Sequence, residues 1–365
     1  MRRLRFLIGV ILVGSLAWTG WWFLAAAAKE TALSRWFENR RDAGWTAQTA
    51  ALQVTGFPAR LDTILSDLRL ADPGRGWAWE AEAFQILALA YQPNHIIVAW
   101  PGVQRIAWRD LALTLQAEQW RGSVVFVPDL ALPLDELRME VAGLQASVEN
   151  GWNAAVTAGQ IAVRRSPGQE APSLSYDLFA TLEAVALPPE WAARYDRDEV
   201  LGASLDVLRV SAQVALDAPL DRFALEGRQP AIRTADLQDA QLVWGGVAVK
   251  GTGRLAVSAE GIPEGRIDLE IRNWQDLLAR LREAGAIDPA LARTLVSGLA
   301  VLATLSGDAD ALRAPLVFSG GQMALGPVPL GPAPRLPAPR LLAPRLPAPG
   351  LLQRPNLATP PAQDG

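Results

Sequence analysis

The pattern of apolar and polar residues begins with one long uncharged run, from Phe6 to Ala28. Its length matches the roughly 20 residues that an α-helix needs to cross a bilayer. Trp18, Trp21 and Trp22 lie toward its C-terminal end, where aromatic residues meet the membrane interface. We therefore predict a transmembrane anchor at residues 1–28. A cleaved signal peptide is the alternative, because alanines end the run, but the run exceeds a usual signal core and bulky indoles precede those alanines.

After the anchor, residues 29–44 have the three- and four-residue spacing of a helix. Ala32, Leu33, Trp36 and Phe37 share one face, and Gly44 can end the helix. We predict a helical stalk in this segment.

From Trp45 the period changes to two, and short alternating runs are separated by turn residues such as Pro73-Gly74 and Asn150-Gly151. This pattern predicts a mainly β (α+β) fold of antiparallel sheet with a few helices. A polar, breaker-rich stretch around residues 164–172 suggests two lobes, a first at 45–165 and a second at 166–330.

Two helices are predicted within the second lobe. Asn273 can cap a helix at 274–284, and Asp288-Pro289 is a typical start for another at 289–305. The final segment, 331–365, is rich in proline, which favours an extended or disordered tail.

Composition and charge exclude several classes of function. The net charge is −4 and the cationic residues are scattered, which argues against a nucleic-acid partner. Cysteine is absent and His95 is the only histidine, so thiolate chemistry and a two-histidine metal motif are impossible. We expect no cofactor and no metal. Arg2, Arg3 and Arg5 precede the anchor and Lys29 directly follows it, which favours a bacterial inner-membrane protein with its body in the periplasm.

Several short motifs, taken in order, resemble an uncharacterised bacterial family catalogued as domain of unknown function 2125. These motifs are Gly56-Phe57-Pro58, Trp244-Gly245-Gly246, Gly261-Ile262-Pro263-Glu264-Gly265, Asn273-Trp274 and Gly320 to Pro327, together with the anchor. The resemblance implies no established activity or catalytic residue. The layout is also similar, more distantly, to the AsmA-like envelope proteins, which place β-rich repeats after one anchor and are thought to shelter lipid.

The candidate functional residues are tryptophans rather than catalytic groups. Trp77 and Trp79 share a strand face, and Trp100, Trp108 and Trp120 follow in the same predicted lobe. They could fill a closed core, or they could line an apolar groove that receives acyl chains. No sequence motif supplies a partner that would make His95 a general base. The alternative to catalysis is a structural imidazole at the edge of a strand.

Three functional classes follow from these observations. The first is a non-enzymatic envelope protein that binds or guides membrane lipid or supports envelope assembly. The second is a membrane-tethered scaffold for other envelope proteins. The third is a carboxylate-based hydrolase, for which the sequence offers no specific motif.

Overall fold

The computed structural model describes residues 2–108, 111–148, 151–168, 174–188, 202, 204–226, 230–283, 285, 287, 293, 296, 299–300 and 310–336. The helices of this part are α1 (Arg2–Asp42), α2 (Arg222–Glu226) and α3 (Trp274–Glu283). The first nine strands are β1 (Thr46–Gln48), β2 (Ala51–Thr55), β3 (Asp62–Asp72), β4 (Trp77–Leu89), β5 (Gln92–Ala99), β6 (Gln104–Trp108), β7 (Leu111–Gln116), β8 (Gln119–Phe126) and β9 (Leu134–Val148). The remaining strands are β10 (Asn153–Arg165), β11 (Ser175–Ala186), β12 (Ser204–Leu216), β13 (Ile232–Trp244), β14 (Val247–Val257), β15 (Pro263–Arg272), β16 (Ala311–Ser319), β17 (Gln322–Leu325) and β18 (Val328–Pro332).

The predicted anchor and stalk form one continuous helix, α1, of 41 residues. It is long and apolar enough to cross a membrane, and most of its apolar stretch is exposed. Its buried residues are Trp22, Ala26 and Phe37, so only the later part packs on the body. The helix ends where predicted, because Gly44 adopts a φ of +85° and its N–H donates to the carbonyl of Arg41.

The strands form one antiparallel meander. The described part contains an 18-stranded sheet in which most strands pair antiparallel with the next strand along the chain. Three rows consist of two strands in line: β1 with β2, β5 with β6, and β7 with β8. This architecture confirms the predicted mainly β class with antiparallel sheet and few helices.

The predicted lobe boundary lies in the connection between β10 and β11. These two strands pair from Arg165 and Tyr176 to Ala155 and Ala186, so backbone hydrogen bonding continues across the boundary. Separate apolar clusters lie beneath α1 and beneath α3. The division into two lobes therefore stays a prediction, set within a continuous sheet.

The predicted helix at 274–284 is confirmed by α3. Most of the predicted helix at 289–305 lies outside the described residues, and its described positions 293, 296, 299 and 300 are helical. Strand β18 continues to Pro332, just past the predicted start of the tail, and residues 337–365 lie outside the described part.

A line of strand irregularities crosses the first half of the sheet. It comprises the break after Thr49 between β1 and β2, Asp67 in β3, Gly102 between β5 and β6, Gly143 in β9 and Ala184 in β11. The last four of these residues have φ values of +48°, +74°, +59° and +47°. We call this line the bulge seam.

The bulge seam crosses β4 at Glu82, the residue opposite Asp67, and it resets the alternation of side chains there. Trp79 and Phe84 are an odd number of residues apart in β4, so a regular strand would point them to opposite faces. Their rings instead meet at 5.0 Å, which shows that they share a face. Bulges also increase local twist, so the seam helps a wide sheet to curve.

Candidate functional site

One face of the sheet is apolar from β5 to β16. Residues directly opposite each other on paired strands share a face, so the strand register defines rows that run across the sheet. One such row is Val98, Gly122, Met139, Ile161, Ala180, Val210, Ala240, Gly251, Leu269 and Ala314. A second is Trp120, Val141, Gly159, Leu182, Leu208, Leu242, Val249, Ile271 and Leu312. We call this side the apolar face.

The other face is polar and carries ion pairs. Its matching row is Arg121, Glu140, Gln160, Thr181, Arg209, Gln241, Lys250, Glu270 and Arg313. Arg121 pairs with Glu140 at 3.1 Å, and Arg313 pairs with Glu270 at 3.3 Å. The sheet is therefore amphipathic across its width, with the polar face suited to water.

Helices pack on the apolar face near the two edges of the sheet. Phe37 of α1 packs with Leu65 and Leu68 near the first edge. At the other edge, Trp274 and Leu278 of α3 pack with Leu312.

The middle of the apolar face is more accessible. Trp100, Trp120, Val141 and Leu182 are half-buried, and Ile161 is 44% exposed. We call these five residues the open face. They include side chains that a closed core would bury completely.

The connection from β12 to β13 crosses one end of the apolar face and reaches β9. The carbonyl of Leu220, which follows β12, accepts the N–H of Leu134 in β9 at 2.7 Å. Strands β10 and β11 lie between β9 and β12, so the connection spans about 14 Å at usual strand spacing. Tyr176 lies fully buried beneath this connection, and its hydroxyl accepts the N–H of Leu220 at 3.2 Å. This connection therefore covers the apolar face at that end.

Aromatic rings form a chain across the apolar face. Phe84 lies between Trp79, at 5.0 Å, and Trp100, at 5.9 Å. Trp100 in turn meets Trp120 at 5.2 Å. The indole N–H of Trp79 donates to Gln104 Oε1 at 3.1 Å, which satisfies its polar atom within the apolar surroundings. Three of the predicted groove tryptophans are thus brought together, with Phe84 as a fourth member that the sequence analysis missed.

The other two predicted groove tryptophans lie farther along β4 and β6. Trp77 is opposite Trp108 in the register and contacts Trp45 at 5.2 Å. Trp108 is 60% exposed at the end of β6. Neither Trp77 nor Trp108 takes part in the ring contacts that link Trp79 with Trp120. They lie on the apolar face beside this chain of aromatic rings.

Two titratable groups on the polar face, His95 and Asp177, have hydrogen-bonding partners. His95 Nε2 lies 2.8 Å from Ser123 Oγ. Burial alone would raise the pKa of Asp177, but hydrogen bonds from Ser166, Gln213 and Arg164 outweigh it and lower the pKa. In the described part, no group of three His, Asp or Glu side chains could hold a metal ion.

A protein-family model matches residues 22–334 and is described as an uncharacterized protein conserved in bacteria (DUF2125). The chain belongs to this family. The DUF2125 match begins at Trp22, the first buried residue of α1, and extends past β18. A comparison with curated proteins finds no match, and neither does one with solved structures. The more distant AsmA-like resemblance stays a prediction.

Proposed function

We propose that this DUF2125 protein is a non-enzymatic, membrane-anchored envelope protein whose apolar face holds the acyl chains of lipid. Its N-terminal helix would span the bacterial inner membrane, with the body in the periplasm. Arg2, Arg3 and Arg5 before the apolar run support this orientation, because basic residues favour the cytoplasmic side.

The observation that carries the proposal is the amphipathic register of the sheet. Apolar rows continue through many strands, while the adjacent rows on the other face carry ion pairs. Each acyl methylene that moves from water to the open face would contribute about 0.8 kcal/mol. No catalytic group is needed for such binding.

The edges of the sheet do not favour the alternative of a scaffold that docks partners by strand addition. At one edge, Glu30 of α1 accepts the N–H of Val54 in β2 at 3.0 Å, so the helix occupies that edge. At the other, β18 contains Pro329 and Pro332, which cannot donate backbone hydrogen bonds. Lipid binding by the apolar face therefore remains the better-supported function.

Mass spectrometry of organic extracts from the full chain, purified in mild detergent, tests the proposal. We expect retained lipid, and we expect its amount to fall in the double variant Met139→Gln/Ile161→Gln, which makes two paired positions of the apolar face polar. The control Glu140→Gln/Gln160→Ala alters the paired positions one residue away, on the polar face. Equal lipid in both variants would attribute the lipid to α1 and contradict the proposal.

A further inference from the structure

Helix α1 contacts the sheet before it has run the thickness of a bilayer. The indole N–H of Trp18 donates to the carbonyl of Pro58 at 2.9 Å, and that of Trp22 donates to the carbonyl of Arg60 at 2.7 Å. From Arg2 to Trp18 the helix rises about 24 Å, whereas the hydrocarbon core is roughly 30 Å thick. When α1 spans the membrane, the 56–61 loop that it contacts therefore lies at the depth of the lipid.

The same end of the sheet carries large exposed apolar side chains. In an antiparallel meander every second connection lies at the same end, so the loops after β2, β4, β8 and β12 share the end that contacts α1. These loops carry Phe57, Tyr91, Leu130 and Phe223, which are 48%, 68%, 88% and 50% exposed. We call these four residues the rim.

Two rim loops are fixed directly to the helix and to each other. Phe57 stacks on Phe23 of α1 with ring centroids 5.7 Å apart. The N–H of Ala90, beside Tyr91, donates to the carbonyl of Ala59 at 2.8 Å, and Ala90 packs with Trp22. The positions of Phe57 and Tyr91 relative to the membrane are consequently set by α1.

The loops that carry Leu130 and Phe223 are held by hydrogen bonds to the sheet and to each other. Asn94, at the start of β5, donates to the carbonyl of Phe126, which precedes the loop with Leu130. The N–H of Arg222 donates to the carbonyl of Ala131, which joins the loop of Phe223 to the loop of Leu130. The rim is thus one hydrogen-bonded series of loops.

We infer that the rim rests in the headgroup layer of the bilayer that α1 spans, so that the sheet stands with one end on the membrane. Aromatic and aliphatic side chains at an interface lose water while the neighbouring polar backbone stays hydrated. The inference rests on the membrane anchor in the proposed function and is independent of lipid binding by the apolar face.

Depth-dependent fluorescence quenching tests the inference in the full chain reconstituted into phosphatidylethanolamine–phosphatidylglycerol vesicles. The chain has no cysteine, so Tyr91→Cys and Leu130→Cys each create one labelling site for an environment-sensitive fluorophore. Arg75→Cys, in the exposed turn between β3 and β4 at the opposite end, is the matched control. All three side chains are exposed, so we expect the three substitutions to leave the folded structure unchanged.

We expect lipids that carry a nitroxide near the headgroup to quench the labels at residues 91 and 130 several-fold more than the label at 75. Equal quenching at the three sites, in a chain that resists alkaline extraction, would overturn the inference. Release of the chain by alkaline extraction would overturn the anchor and the inference together. Strong rim quenching in a chain that retains no lipid on its apolar face would support the inference while contradicting lipid binding.

Discussion

The open face and the closed core should respond differently to truncation of an apolar side chain. Leu68 is 1% exposed beneath α1, whereas Ile161 is 44% exposed on the open face. Leu68→Ala should cost about 3 kcal/mol in free energy of unfolding, because it removes buried contacts and leaves a cavity. Ile161→Ala removes groups that are only half-buried, and should cost about 1 kcal/mol.

Urea unfolding of the full chain in mild detergent, followed by tryptophan fluorescence, measures both costs on one scale. The midpoint should fall clearly for Leu68→Ala and slightly for Ile161→Ala. The same two variants should rank in the opposite order for loss of retained lipid. An equal fall in midpoint for both would show that Ile161 lies in a closed core, and would refute the open face.

Gly253→Ala should destabilise the sheet by about 3 kcal/mol, since a Cβ there would lie 2.2 Å from the carbonyl oxygen of Arg266. The control Thr252→Ala, at the neighbouring exposed position, should be nearly neutral. Equal unfolding midpoints in urea for the two variants would contradict this prediction. Asp177→Asn should lower the melting temperature at neutral pH. The folded-state pKa of Asp177 is lowered, so its contribution to stability is present above its unfolded pKa and is lost as pH falls through the folded pKa. A difference in melting temperature between wild type and variant that does not shrink in acid would contradict this prediction. A reporter that is active only in the cytoplasm, fused after Gly365, should be silent, and strong activity would reverse the proposed orientation.

The helices and the class of fold could be predicted because their signals are local. The uncharged run from Phe6 to Ala28 predicted the apolar part of α1, and Asn273 marked the start of α3. Alternation with turn residues indicated antiparallel strands. These features depend on neighbours within a few residues, which the sequence displays directly.

The arrangement of the aromatic site was only partly predictable. Trp77 and Trp79 lie two residues apart and both precede the bulge seam in β4, so the simple alternation used for the sequence applies to them. Phe84 was missed because the seam resets the alternation after Trp79. The left-handed residues Asp67 and Ala184 lie inside strands, at points where the pairing with the adjacent strands β4 and β10 is interrupted. Neither the alternation of residues nor a turn sequence marks these interruptions.

The contact between α1 and the sheet was likewise not predictable. The tryptophans of the apolar run indicated a membrane interface, but nothing in their spacing showed that Trp18 and Trp22 would bond the loop after β2. That contact depends on where the edge of a long meander meets the helix, which is a property of the whole sheet.

Photo-crosslinking in living cells shows whether lipid occupies the apolar face. A photoreactive residue is placed at Ile161 on the apolar face or at the adjacent Gln160 on the polar face, and lipid adducts are identified by mass spectrometry. We expect lipid adducts at 161 and few at 160, because adjacent strand residues point to opposite faces. Equal labelling at both positions, or no lipid adduct at 161, would contradict it.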